Sequence, residues 1–125
     1  MNFFLRVSAS LRLISLSMAE EVLIVFSTFA DAEAARSAAR SLVGEHLAAC
    51  ANIVPQVESI YRWREKIESG AEVLVIFKTT RGRYQQFEQR LRALHPYEVP
   101  EIVAVPLMTG HDPYLNWVVE SCAHA

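Results

Sequence analysis

The stretch EVLVIFKTT at residues 72–80 decides the fold class, because it is apolar, rich in β-branched side chains and too short for a buried helix. A second run of the same kind, EVLIVFST, occupies residues 21–28. In both runs the apolar side chains fall on both sets of alternating positions, so each strand is expected to bury both of its faces. We therefore predict two buried strands.

The segments around these two runs supply the other elements. Apolar residues at helical spacing predict two amphipathic helices, the first of which begins at Asp31 as its N-cap. Pro55 indicates a bend or an edge strand, because proline cannot donate to a central ladder. The predicted elements are strand 21–28, helix 31–49, strand 51–63, the connection IESGAE at 67–72, strand 72–80, helix 81–94, strand 101–108 and helix 112–122.

This order of elements is the split βαβ, or ferredoxin-like, pattern of an α+β protein: βαββαβ with an additional C-terminal helix. Two helices would cover one face of an antiparallel four-stranded sheet. The other face would then expose more apolar surface than soluble monomers usually tolerate. We therefore predict that a partner subunit covers much of that face.

Length and charge indicate the class of protein. With 125 residues and a formal net charge of -2, the chain fits one compact domain. Lys and Arg are scattered, which argues against a nucleic-acid-binding face. Residues 1–17 carry only basic charges and are predicted to be an extension before the domain at 18–125. This extension is either sequence upstream of a true start at Met18 or an organelle transit peptide.

The two cysteines, Cys50 and Cys122, form no CxxC pair and suggest no disulfide framework. A reducing cytoplasm is the predicted location. No apolar stretch reaches the roughly 20 residues of a membrane-spanning helix. Phosphate-binding glycine loops, nucleophile elbows and HExxH are absent from the sequence, so we predict that the protein is not an enzyme.

The segment HPYEVP at residues 95–100 joins the second helix to the last strand. Pro96 and Pro100 make it a stiff connector, because each restricts the residue before it to extended conformations. His95 is a candidate for metal binding or acid–base chemistry, and its alternative role is a helix-terminal histidine packed beside Tyr97. Glu101 begins the strand and is a candidate for a pocket or subunit interface. Together with Glu98 it could form an acid–base pair, with solvated or ion-paired surface charge as the alternative.

Residues 57–80 are predicted to form a β-hairpin, and other candidate residues lie in or just before its first strand. Imidazole together with thiolate favours copper or zinc, so Cys50 is a metal candidate beside its alternative role as a small core residue. Tyr61 and Trp63 fall on one face of a strand, where amphipathic aromatic residues suit an interface or a pocket wall.

Three blocks of the sequence closely resemble the CutA family of divalent-cation-tolerance proteins. They are LAACANIVPQVESIYRW at 47–63, EVLVIFKTT at 72–80 and LHPYEVPEIVAVP at 94–106, and the similarity covers about residues 20–122. The resemblance implies a ferredoxin-like subunit in a homotrimer, related to trimeric PII-type signalling proteins, that binds copper or another divalent cation.

Carried onto this chain, the resemblance implies His95 as the best-matched metal candidate and Cys50 as the characteristic cysteine. Some family members have a cysteine where this chain has Ser27 and a second histidine where it has Leu94, so a copper site that uses those ligands would be incomplete here. Glu65 stands where glycine is common after the tryptophan.

Three functions follow as alternatives. The leading hypothesis is a cytoplasmic trimer that binds divalent metal, copper first, without catalysis. The second is a PII-like sensor of a small anionic or nucleotide ligand, with Lys78, Tyr97 and the aromatic residues lining clefts between subunits. The third is a trimeric scaffold that supports another protein.

Overall fold

The computed structural model describes residues 20–123, so the predicted extension at 1–17 lies outside the described residues. No helix of the described part is long and apolar enough to cross a membrane. The elements are β1 (Val22–Phe29), α1 (Ala32–Gly44), β2 (Cys50–Trp63), β3 (Lys66–Thr80), α2 (Arg81–Leu94), β4 (Val103–Pro106) and α3 (Asp112–Cys122).

The four strands form one sheet in the order β2-β3-β1-β4, and every pairing is antiparallel. The central strands β3 and β1 are the two apolar runs of the sequence. Their neighbours β2 and β4 are the edge strands. The predicted α+β fold of the ferredoxin-like type, with an added C-terminal helix, is confirmed.

Three predicted boundaries are wrong. IESGAE is part of β3, and the hairpin turn consists of Arg64 and Glu65, whose φ angles are 50° and 67°. The sequence lacks the Asn-Gly or Asp-Gly pair that usually marks such a turn. Helix α1 ends at Gly44 instead of continuing to residue 49, and β4 is limited to four residues within the predicted 101–108.

The two faces of the sheet differ in burial. Helices α1 and α2 cover the side that carries Val25, Val75 and Phe77, all fully buried, and Phe77 packs edge-on against Phe87 with ring centroids 5.1 Å apart. On the opposite side, Val103 is 49% exposed and Val105 is 47% exposed. We call this second side the open face.

Helix α3 adds a second apolar cluster next to the main core. Leu115 and Val118 are buried there against Val22 at the start of β1 and Ala49 just before β2. The sequence predicts Asp112 as the N-cap of this helix, but His111 occupies that position and Asp112 lies in the first turn, followed by Pro113 as predicted. This helix therefore packs at the end of the sheet that lies near the starts of β1 and β2.

Strand β2 contains an irregularity at the position that the sequence marks with proline. The register between β2 and β3 shifts between Val54 and Val57, so two residues on β2, Pro55 and Gln56, have no partner in the ladder. Both are exposed on the edge strand, where the missing N–H of proline costs no hydrogen bond. The bulge separates the part of β2 in the sheet from the outer hairpin, residues 57–72.

The hydroxyl of Ser27 is fully buried and has no hydrogen-bond partner among the described residues. An unpaired buried hydroxyl costs roughly 1–3 kcal/mol. We expect Ser27→Ala to raise the free energy of unfolding by about 1 kcal/mol, measured by urea unfolding at fixed protein concentration. The matched control is Thr79→Val, since the buried Thr79 hydroxyl donates to the Leu47 carbonyl at 2.6 Å, and its loss should destabilise. A destabilised Ser27→Ala variant would contradict the prediction.

Candidate functional site

The connector after α2 places three candidate residues near the outer hairpin. Helix α2 ends at Leu94, and His95 adopts an extended conformation with φ -77° and ψ 133°, as expected for a residue that precedes proline. His95 is only 7% exposed. The chain then runs past Tyr97 and Glu101 into β4, beside the end of β1.

Both ring nitrogens of His95 are engaged in hydrogen bonds. The backbone N–H of Tyr97 donates to Nδ1 at 3.1 Å, which assigns the ring proton to Nε2, and Nε2 donates to the Thr28 carbonyl at 2.9 Å. The imidazole also stacks on Phe29, with centroids 4.1 Å apart and 15° between the planes. In this conformation His95 ties the connector to the end of β1, and a metal ion would have to replace one of these two hydrogen bonds.

Burial lowers the pKa of His95 below 6.5, although the Thr28 carbonyl and Glu72 act in the opposite direction. The folded protein therefore binds fewer protons than the unfolded chain between the lowered pKa and 6.5. We expect the free energy of unfolding to fall as pH drops through 6.5, by at most about 1.4 kcal/mol per pH unit, and to level off below the folded pKa.

Urea unfolding from pH 7.5 to 4.5, compared between the wild type and His95→Gln, isolates this contribution because the other histidines are common to both proteins. The variant should lack part of the pH dependence near the pKa of an ordinary histidine. Equal slopes in the two proteins would contradict the assignment.

Tyr97 joins the connector to the hairpin. Its hydroxyl donates to Oε2 of Glu72 at 2.7 Å, and its ring lies against that of His95 with centroids 4.8 Å apart. Burial and the Glu72 carboxylate raise the pKa of Tyr97 to about 12, so the phenol stays protonated as a donor at neutral pH. The Tyr97 ring is thereby held in one orientation between the connector and β3.

A cleft of about 770 Å³ opens between the connector, the end of β1 and the outer hairpin. It brings together four of the residues that the sequence singles out, Tyr61, Trp63, Tyr97 and Glu101. Tyr61 and Trp63 share one side of the hairpin, and Tyr61 pairs directly with Glu68 across the two strands. We refer to this space as the hairpin cleft. It is lined by Thr28, Ala30, Tyr61, Trp63, Glu68, Gly70, Ala71, Glu72, Tyr97, Val99 and Glu101.

Sequence reasoning missed two residues of the hairpin cleft, Glu68 and Glu72. Glu68 lies in the predicted connection IESGAE, where a carboxylate has no defined direction, and Glu72 stands where that connection meets the predicted strand 72–80. Pairing Trp63 with Lys66 across a two-residue turn places Glu68 opposite Tyr61. The missing signal was therefore the position of the turn, which Arg64 and Glu65 form without glycine.

Cys50 and Lys78 lie at the other end of the sheet. They are direct partners in the register, and Lys78 is also opposite Ile24, whereas Thr28 marks the His95 end of β1. Four residues along a strand span about 13 Å, so one chain does not bring Cys50 and His95 together. Lys78 does not line the hairpin cleft.

The surroundings of Cys50 and Lys78 are also defined. The Lys78 ammonium group donates to Oδ1 of Asn52, and Cys50 Sγ is 3.7 Å from the Tyr114 hydroxyl. Cys50 is half-buried and is not bonded to Cys122. The thiol is thus placed against α3 and away from the connector.

The chemistry of the hairpin cleft favours positive ligands. Its charged lining residues are Glu68, Glu72 and Glu101, and its aromatic residues present ring faces that attract cations. Within residues 20–123, no group of three or more His, Cys, Asp or Glu side chains is placed to hold one metal ion. A metal ion in the cleft would thus take part of its coordination from water or from another chain.

Comparison with known proteins agrees with the fold. A relative from Thermus thermophilus, "Divalent-cation tolerance protein CutA", is 46% identical over 102 residues, which is 82% of this chain and 97% of that protein. A relative from Arabidopsis thaliana, "Protein CutA, chloroplastic", is 40% identical over 114 residues, and the match covers 91% of this chain but only 63% of that protein.

Solved structures give the same result. The crystal structure of CutA from Xylella fastidiosa superposes with a TM-score of 0.79 at 39% identity, covering 82% of this chain and 98% of that one. The family model described as "CutA1 divalent ion tolerance protein" matches residues 23–121, which include both the connector and the hairpin cleft. This chain belongs to the CutA1 family of divalent ion tolerance proteins.

Proposed function

We propose that this protein binds divalent cations in the course of divalent-cation tolerance and has no catalytic role. The observation that carries the proposal is the charge of the hairpin cleft, in which every charged lining residue is a glutamate. A cleft lined by one sign of charge raises the local concentration of the opposite ion. Copper is the first ion to test, because sites with nitrogen, oxygen or sulfur ligands bind Cu²⁺ most tightly among the divalent first-row metals.

The proposed role of His95 is to supply a neutral imidazole next to the cleft. Its hydrogen-bond partners, Thr28 and Tyr97, both line the cleft, and the lowered pKa keeps the ring in the uncharged form that binds metals. Coordination would replace one of the two ring hydrogen bonds. Cys50 lies at the opposite end of the sheet, so its thiol would belong to a separate metal site.

The alternative hypothesis places a small anionic or nucleotide ligand in clefts between subunits, and the acidic lining argues against the hairpin cleft as part of such a site. That hypothesis needs a positively charged side chain beside the ligand. Its proposed cation, Lys78, donates a hydrogen bond to Asn52 and lies away from the cleft. The cytoplasmic location remains a prediction.

We also propose that the protein acts as a homotrimer. The support is the open face, where Val103 and Val105 are about half-exposed on the edge strand β4 beside Phe26 and Ile24 of β1. Burial of this apolar surface between copies would stabilise the assembly. Sedimentation equilibrium should give three times the chain mass of 14.1 kDa, and a monomer at micromolar concentration would contradict the proposal.

Calorimetric titration of the metal-free protein with Cu²⁺ tests metal binding. The informative variant is Glu68→Gln/Glu101→Gln, because both carboxylates are exposed and line the cleft, so their neutralisation should leave the fold intact. We expect saturable binding in the wild type and at least about tenfold weaker binding in the variant, as expected for the loss of about 1.4 kcal/mol.

Glu58→Gln/Glu98→Gln is the matched control, since it removes two exposed carboxylates that do not line the cleft. Its affinity should equal that of the wild type. Loss of copper binding in Cys50→Ser with no change in the cleft variant would place the metal at the thiol and overturn the assignment to the cleft. No saturable binding in the wild type would overturn the proposed metal function.

A further inference from the structure

The walls of the hairpin cleft are aromatic, which a site for a bare metal ion does not require. Tyr61, Trp63 and Tyr97 all line the same space. The hydrogen bond that the Tyr97 hydroxyl donates to Glu72 fixes the orientation of the Tyr97 ring. Trp63 already contacts a cation, because the guanidinium carbon of Arg64 lies 5.4 Å from the centre of its ring. That contact lies within the range of a cation–π interaction, which is strongest with tryptophan.

The glutamates of the cleft are spread along it and do not converge. Glu68 and Glu72 are four residues apart on β3, which corresponds to about 13 Å between their backbone positions. Within the described part of the chain no three acidic or other ligating side chains could share one metal ion. This spacing suits a ligand that carries several separate positive charges, each close to one carboxylate.

Between the charged residues the cleft offers apolar surface and open space. Ala30, Ala71 and Val99 line it together with the aromatic rings. Gly70 lies between Glu68 and Glu72 on the same side of β3, and a Cβ atom added there would meet no atom within 4 Å. A chain of methylene groups can therefore pass between the carboxylates.

We propose that the hairpin cleft binds a linear aliphatic polyamine, a chain of ammonium groups separated by short methylene segments. The ammonium groups donate hydrogen bonds to Glu68, Glu72 and Glu101, and the aromatic faces contact the cationic ends and the methylene groups. The inference shares with the proposed function only the preference of the cleft for positive charge. Either ligand can be absent without excluding the other.

Calorimetric titration of the full chain with spermidine, in buffer that contains EDTA to remove metal ions, tests the proposal. The most informative variant is Gly70→Val, which narrows the cleft between Glu68 and Glu72 without changing its charge. Gly70 has no positive φ and lies in a strand, where valine is favoured, so the variant should fold. Ser69→Val is the matched control, because the neighbouring side chain points to the other side of β3.

We expect saturable binding of spermidine to the wild type and to Ser69→Val, and at least about tenfold weaker binding to Gly70→Val and to Trp63→Leu. Uncharged 1,4-butanediol should not bind. Absence of spermidine binding, or equal affinity in Gly70→Val, would overturn the site. Equal affinity in Trp63→Leu, or displacement of spermidine by Mg²⁺ in EDTA-free buffer as efficient as that by a second amine, would overturn the aromatic recognition and leave only an acidic surface.

The copper titration is independent of this result. Copper binding without spermidine binding would overturn the inference alone, whereas spermidine binding without copper binding would overturn the metal function alone. The Gly70→Val variant also separates the two proposals, because it retains every carboxylate that the metal proposal uses.

Discussion

Phe29→Ala is expected to lower the free energy of unfolding by about 3–5 kcal/mol, the usual cost of truncating a fully buried phenylalanine. Phe29 is 0% exposed at the end of β1 and belongs to the main core. Its ring also supports the stacked imidazole of His95. Removal therefore leaves a cavity and loosens the attachment of the connector to the sheet.

Urea unfolding at one fixed protein concentration measures the loss from Phe29→Ala, since the stability of an oligomer depends on concentration. Phe29→Leu is the conservative control and should lose less, because leucine fills part of the space. A loss below about 1 kcal/mol in Phe29→Ala would show that the surrounding core collapses into the site and that the ring is not required there.

His95→Ala is expected to cost about 2–4 kcal/mol, because two backbone groups lose their partners together. The Thr28 carbonyl loses the Nε2–H donor, the Tyr97 N–H loses the Nδ1 acceptor, and Phe29 loses a stacked ring. The same unfolding experiment measures the effect. His95→Gln is the matched comparison, since its amide has both a donor and an acceptor and can restore part of the loss.

The result for His95 decides between the two roles that the sequence leaves open. A large loss of stability in His95→Ala that His95→Gln partly restores would identify a structural histidine at the end of α2. A loss below about 1 kcal/mol, together with abolished copper binding, would contradict the structural role and favour a metal ligand. Copper affinity measured on His95→Ala alone cannot separate the roles, because a destabilised connector also disturbs the cleft.

The fold could be predicted because its two central strands are strong local signals. EVLIVFST and EVLVIFKTT are apolar on both sides. Such a sequence is typical of a central strand that has a neighbour on each edge and is covered on both faces. Pro55 also indicates that β2 is an edge strand, because an edge strand tolerates a residue without a backbone N–H group. Helix ends were predicted less well, since Gly44 and the left-handed His46 end α1 before the apolar pattern does.

The candidate site could be predicted only in part. Tyr61, Trp63, Tyr97 and Glu101 were singled out by residue type, and the structure places all four around one cleft. Their shared location depends on long-range contacts that no local pattern contains. The carboxylates of the hairpin were missed because the assignment of a side chain to one face of a strand needs the position of the turn.

The bulge in β2 determines on which side of the molecule the aromatic residues appear. Before the bulge, Ala51 and Ile53 pair with the buried-side residues of β3, but after it Tyr61 and Trp63 pair with positions that continue the open face. One extra residue therefore reverses the side of the sheet on which the odd-numbered side chains of β2 lie. A regular ladder that kept every residue of β2 would pair Tyr61 with Ile67 instead of Glu68, and the aromatic rings of the outer hairpin would then face away from Tyr97.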